Sequence, residues 1–117
     1  MLRLKLTIII TFAAIALAAC GASEPDRFSI AANPGYESSV FRQNCAICHG
    51  PEGDGKTLDD GTVVPSLRHG DFKMKTEVDI YNQISEGGNG MTPFRMQLSE
   101  REMRLLTDLV HNKLRKN

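Results

Sequence analysis

Residues 44–55 read Asn44-Cys45-Ala46-Ile47-Cys48-His49-Gly50-Pro51-Glu52-Gly53-Asp54-Gly55, and the five from Cys45 to His49 decide what the chain folds around. Two thiols separated by two residues lie on one helical turn. Each can add to a vinyl group of one haem while the adjacent histidine comes up beneath the iron as an axial ligand. Three residues doing separate jobs at fixed spacing make the signal specific. The competing readings need residues that are missing. A structural zinc site takes four ligands, and no second Cys/His pair stands in the chain to complete one. A redox dithiol of the thioredoxin type wants a strand ahead of the motif and a parallel sheet around it, and neither is readable.

Outward from this segment the chain divides into three. It has 117 residues with 14 basic and 14 acidic side chains, which fits one small domain and argues against nucleic acid as a partner. Residues 1–19 carry Arg3 and Lys5 followed by an apolar run from Leu6 to Ala19, the charged start and short apolar stretch of an export signal, too short to span a bilayer comfortably. Leu17-Ala18-Ala19-Cys20 resembles the lipobox of bacterial lipoproteins, which implies a lipidated Cys20 at the mature N-terminus. Two acyl chains at one site anchor stably where a single chain is marginal. Lipidation of Cys20 leaves Cys45 and Cys48 as the remaining cysteines, so no ordinary disulfide framework is available. Residues 20–33, small, polar and punctuated by Pro25, read as a flexible linker, and 34–117 as the folded domain.

Within that domain the pattern is helical. Asn33-Pro34 offers an N-cap and a first-turn proline for a helix running to about Ala46, with Gly50 as its stop. Gly50 to Phe72 shows no sustained period and reads as a long loop, which in so small a domain is expected only where the loop wraps something. Thr76 caps a second helix that ends at Gly87, and Ser99-Glu100-Arg101-Glu102 is a capping box for a last helix with the stripe Met103, Leu106, Val110 and Leu114. No segment calls for a strand. His111 shares the polar face of Arg104 and Asp108, so it is expected in solvent.

The residues around the motif resemble the class I cytochromes c, especially the small bacterial ones, over about residues 34–115. The resemblance implies an all-α fold of helices and loops wrapped around one covalent haem c. It rests on the Asn44–Gly55 segment, on Pro65-Ser66-Leu67, similar to the loop that lies against the haem on the histidine side, and on Gly87 through Phe94, similar to the methionine-ligand loop. By that resemblance the Pro65 carbonyl accepts from the Nδ1–H of His49, leaving Nε2 for iron. Met91 is then the distal ligand, a soft neutral thioether that favours ferrous iron. Met96, Met74 or His69 are the alternatives. One departure stands out. The family crosses its first and last helices through a small residue and an aromatic, and the last helix here has no aromatic; Leu106, Leu109 or Val110 must fill the place.

Iron held by both His49 and Met91 has no open position, which points to a non-enzymatic single-electron carrier, exported and tethered, facing the periplasm or outer cell surface. Its partners are then redox proteins and the membrane, with no small-molecule substrate. The alternatives are a cytochrome subunit of a larger dehydrogenase, oxidase or reductase, and a haem-based ligand-binding enzyme or sensor. The basic residues Lys56, Arg68, Lys73, Lys75 and those of the last helix are spread along the chain without a dense patch.

Overall fold

Two reciprocal caps start the helices that carry most of the core. Thr76 Oγ1 accepts from the Asp79 N–H while the Asp79 carboxylate accepts from Thr76, and Ser99 makes the same box with Glu102. Each box satisfies two backbone donors that a helix start leaves without partners. The computed structural model describes residues 27–116, so the export signal, Cys20 and residues 21–26 of the linker lie outside the described residues.

In chain order the elements are α1 (Tyr36–Asn44), α2 (Ala46–His49), β1 (Lys56–Thr57), β2 (Val63–Val64), α3 (Glu77–Glu86) and α4 (Glu100–Asp108), the last continuing as a π-helical stretch, Leu109–Leu114. The architecture is therefore helical with one small antiparallel hairpin, pairing Lys56 with Val64 and Thr57 with Val63. The all-α expectation needs that correction. The hairpin sits inside the long loop, closed by Leu58 N–H to Thr62 O at 2.8 Å and by Asp60 Oδ1 accepting from the Thr62 N–H at 2.9 Å. Two-residue strands leave no alternating pattern to read.

α1 also starts later than Asn33-Pro34 suggests. The Asn33 side chain accepts from the Gly35 N–H at 2.6 Å, a local turn that competes with helix, and Gly35 becomes the N-cap. α1 and α4 cross beneath two polar links, Tyr36 Oη to Glu102 at 2.6 Å and Lys113 Nζ to Glu37 at 2.8 Å. Between them Phe41, Leu106, Leu109 and Leu114 are buried essentially completely. Phe41 on α1 thus supplies an aromatic where α4 has none. The wider π turn draws Leu109 inward together with the expected Val110 and Leu114. The same change of pitch takes His111 off the polar face: it is half-buried, with Nδ1 3.0 Å from Asn112 Oδ1 and 3.4 Å from Glu77.

The folded part begins before residue 34. Ile30 has no exposed surface, and Phe28 packs against the core, so residues 28–33 belong to the domain and not to a free linker. One carboxylate and two arginines hold them, Arg42 Nη1 donating to Ile30 O (2.6 Å) and Asn33 O (3.1 Å). Glu52 accepts from Ser29 Oγ (3.0 Å), Ile30 N (2.9 Å), Ala31 N (2.8 Å) and Arg68 Nη2 (3.0 Å). Arg68, which the sequence groups with the surface cations, is 3% exposed and also donates to the backbone oxygens of Phe28 and Glu52. Burial opposes ionisation of Glu52, but its donors from Ala31, Ile30 and Ser29 and the charge of Arg68 outweigh burial and hold the carboxyl below its ordinary range.

Ile30→Ala in the haem-loaded chain should cost about 2–5 kcal/mol in denaturant unfolding, whereas Arg104→Ala, which removes an exposed helix pair, should cost no more than about 0.5 kcal/mol. A free linker at residue 30 would make the two indistinguishable. Because the folded Glu52 has the lower pKa, its share of stability is present above the unfolded carboxylate range and is lost as pH falls through the folded value. Glu52→Gln should flatten the stability profile in that acidic window.

Candidate functional site

Cys45 is the hinge between α1 and α2. Its N–H donates to Phe41 O at 2.8 Å, and its own oxygen accepts from Cys48 N (3.2 Å) and His49 N (2.9 Å), so both thiols and the imidazole ride on one turn. Gly50, at φ +80°, ends that turn where the sequence places its stop. Both cysteines are free thiols, Cys45 half-buried and Cys48 exposed. Burial, and secondarily the neighbouring Cys48, push the Cys45 thiol up to about 12. A thiol that stays protonated at neutral pH is the opposite of an activated redox cysteine. Among the described residues no three His, Cys, Asp or Glu side chains cluster as ligands, which a zinc reading of the pair would need.

His49 is half-buried, and its Nδ1 is shut off from solvent without a hydrogen bond. Burial lowers the imidazole pKa, while the Pro65 backbone acts in the opposite direction. Pro65 therefore lies beside the ring, short of a bond with good distance and angle. Glycines permit this approach. Gly55 donates to His49 O at 2.9 Å, and a Cβ on Gly55 would stand 2.5 Å from Val64 O and 2.8 Å from Pro65 C. Gly53 O accepts from Leu67 N at 2.8 Å, and Gly53 is packed among Leu114, Phe41 and Leu67. Both glycines have φ near +80°, which L side chains rarely adopt.

Met91 is placed by a tight turn. Gly88 and Met91 exchange both backbone hydrogen bonds, at 2.9 and 3.0 Å, around Asn89 (φ 53°) and Gly90 (φ 85°), the two positive φ values of a type I′ turn. Next to it, a Cβ on Gly87 would meet Met91 O at 2.5 Å and Pro93 N at 2.7 Å. Met91 is half-buried against the core, and Gln83 Nε2 approaches its sulfur at 3.8 Å while donating to Gly88 O at 2.9 Å. Gln83 escapes a motif search. Its position one turn before the helix end at Gly87 is the signal that could have placed it against the glycine loop. Of the alternatives, Met96 is 89% exposed, Met74 is half-buried in the loop before α3, and His69 is exposed beside Ser66; Met103, in the stripe of α4, is core.

Over residues 37–110 the sequence matches the family model described as cytochrome C oxidase, cbb3-type, subunit III. The chain belongs to that family. It is a small c-type cytochrome, and covalent haem c with electron carriage in general follows from that membership. No curated protein and no solved structure is significantly similar to the chain. The residues fit such a group on features visible here: paired free thiols on one turn, and a half-buried imidazole whose Nδ1 is turned inward beside a backbone oxygen.

Gly55→Ala and Gly87→Ala should each destabilise the haem-loaded protein by more than the about 1–2 kcal/mol that a left-handed backbone alone costs, because each Cβ meets backbone that cannot yield. Gly61→Ala, at φ +86° with nothing within 4 Å, isolates the backbone cost. Urea unfolding of the three variants side by side gives the ranking, and equal losses would mean the close approaches at Pro65 and Met91 are unimportant.

Proposed function

We propose that the protein is an exported, lipid-tethered single-electron carrier with one haem c, thioether-linked through Cys45 and Cys48 and ligated by His49 and Met91. The observation that carries this reading is the attachment turn: two free thiols and a half-buried imidazole on one turn closed by Cys48 N–H and His49 N–H donating to Cys45 O. When bound, haem supplies a one-electron couple at its iron. The chain's own residues do the rest. Pro65 O would accept from the His49 Nδ1–H, orienting the ring and leaving Nε2 free as the ligand atom. Leu67, drawn in by Gly53, walls the histidine side, and Met91 is supported from behind by Gln83. Burial of Met91 and exposure of Met96 favour the first as the sulfur ligand. With His49 and Met91 both holding the iron, no position would be left for a substrate, so carriage and not turnover is the proposed activity.

Intact mass of the denatured protein should include one haem, resistant to acidic solvent extraction; a bare polypeptide mass would remove the whole reading. The reduced wild type should leave its spectrum unchanged under carbon monoxide near neutral pH. Met91→Ala should bind the gas and show a lower reduction potential, because water or a stronger donor replaces a ligand that favours ferrous iron. Met96→Ala and His69→Ala should resemble wild type. Rapid carbon monoxide binding by freshly purified wild type would favour the enzyme or sensor alternative.

For the tether, Leu17-Ala18-Ala19-Cys20 supports lipidation and export to the periplasm or outer surface. None of the described helices is long and apolar enough to cross a membrane. Wild type should fractionate with membranes and enter detergent, while Cys20→Ala should stay unprocessed or become soluble. Soluble wild type with an unmodified N-terminus would leave only export standing. A second reading has its own support, since the matching family is described by an oxidase subunit: the domain serves within a larger oxidase. Co-purification with other subunits in mild detergent is its test.

A further inference from the structure

Five of the twelve lysines and arginines among the described residues are matched by acids. Arg27 pairs with Asp54, Arg68 with Glu52, Arg95 with Glu86, Arg104 with Glu100 and Lys113 with Glu37. Four of the other seven gather in one region. Lys73 and Lys75 precede α3 and Arg115 and Lys116 follow the π-helical stretch, yet all four line one open cleft of about 480 Å³ with Phe72 and Asp71. The dispersal seen along the sequence is thus undone by the fold. Among the described residues none of the four forms an ion pair, and Lys116 Nζ donates only to the neutral Asn112 at 2.6 Å. His111 also borders the cleft but lies against Glu77 and Asn112. Four cations therefore face a single carboxylate, Asp71.

Arg115 is the built part of this cleft. Its guanidinium carbon lies 3.8 Å from the centroid of the Phe72 ring, and Nη1 donates to Met74 O at 2.6 Å. Nε is sealed from solvent and has no partner. Burial lowers the Arg115 pKa, and no protein anion acts against it. A desolvated cation without a counter-charge is a cost that the fold sustains here and avoids at buried Arg68, which pairs with Glu52.

We propose that this cleft is a binding site for a phosphate-class anion, with Arg115 as a fixed planar donor and Lys73, Lys75 and Lys116 as surrounding point charges. Guanidinium held flat on an aromatic ring keeps its donors pre-oriented, and the lysines adapt to the remaining oxygens. The size suits a small ligand. The site goes beyond electron carriage, because none of its residues belongs to the attachment turn or the Met91 loop. Free phosphate and the phosphodiester of a membrane lipid offer the same chemistry.

The test uses the full-length, haem-loaded protein in its reduced, diamagnetic state. Inorganic phosphate is titrated against sodium chloride of equal ionic strength while the Arg115 Nε–H resonance and the backbone amides of 71–75 are followed by NMR. Saturable shifts with phosphate and none with chloride are expected. Lys73→Gln combined with Lys75→Gln, side chains without hydrogen bonds or ion pairs among the described residues, should weaken phosphate binding about tenfold with an unchanged unfolding midpoint. Arg115→Gln should abolish saturation. A second arm places the protein in phosphatidylcholine nanodiscs with and without phosphatidylglycerol. An Arg115 shift specific to the glycerol lipid assigns the anion to a headgroup, and identical disc spectra with a retained phosphate response assign it to the free ion. Failure to enter either disc speaks against the Cys20 anchor and leaves the titration to decide the site. Coincident phosphate and chloride traces, or a response to poly-glutamate alone, overturn the proposal, the latter marking the face for an acidic protein.

Discussion

A polar nitrogen withdrawn from water must find an acceptor or carry the cost of being without one, and His49 Nδ1 is in that position. Much of the chain between residues 50 and 67 is arranged around it. Gly55 bonds back to His49 O, its missing Cβ lets the backbone of Val64 and Pro65 come close, and Gly53 accepts from Leu67. The small hairpin turns the chain so that Pro65 returns beside the ring. A loop that looks shapeless by hydrophobic pattern is specified instead by backbone contacts to the attachment turn.

The starts of α3 and α4 are legible in the sequence because their causes are local. Thr76 with Asp79, Ser99 with Glu102, and the stops at Gly50 and Gly87 each operate within one or two turns. The stripe Met103, Leu106, Val110 and Leu114 is likewise readable, and all four side chains are buried. What is not legible depends on partners distant in sequence. Ile30 looks like linker until Glu52 collects the backbone of Ile30 and Ala31, and Arg68 looks like a surface cation until the oxygens of Phe28 and Glu52 surround it. The π turn, which carries Leu109 inward and His111 toward Glu77, is invisible to a 3.6-residue period.

The site shows the same division. Cys45, Cys48 and His49 announce themselves by spacing, and the glycine-flanked setting of Met91 is readable as a turn. Gln83 is not, since a glutamine in an amphipathic helix carries no signal of its own and acquires one only when the Gly88–Met91 turn folds back over it. The basic cleft is the extreme case, assembled from two short segments that the chain separates by the whole of α3 and α4.

The Glu52 clamp also has a mechanical meaning. A pull applied at residue 27 acts on Ser29, Ile30 and Ala31, whose donors end on the same carboxylate, while Phe28 lies 5.4 Å from Lys113 Nζ on the far end of the chain. Those bonds are loaded together, not one after another. Force entering from the N-terminal side is therefore passed to the segment just after His49, to the last helical turns and, through Arg42 Nη1, which donates to Ile30 O and Asn33 O, to α1. None of these bonds ends on residues 45–48, so the hold on the leading end is spread over the turn's neighbours and not placed on the turn that bears Cys45 and Cys48.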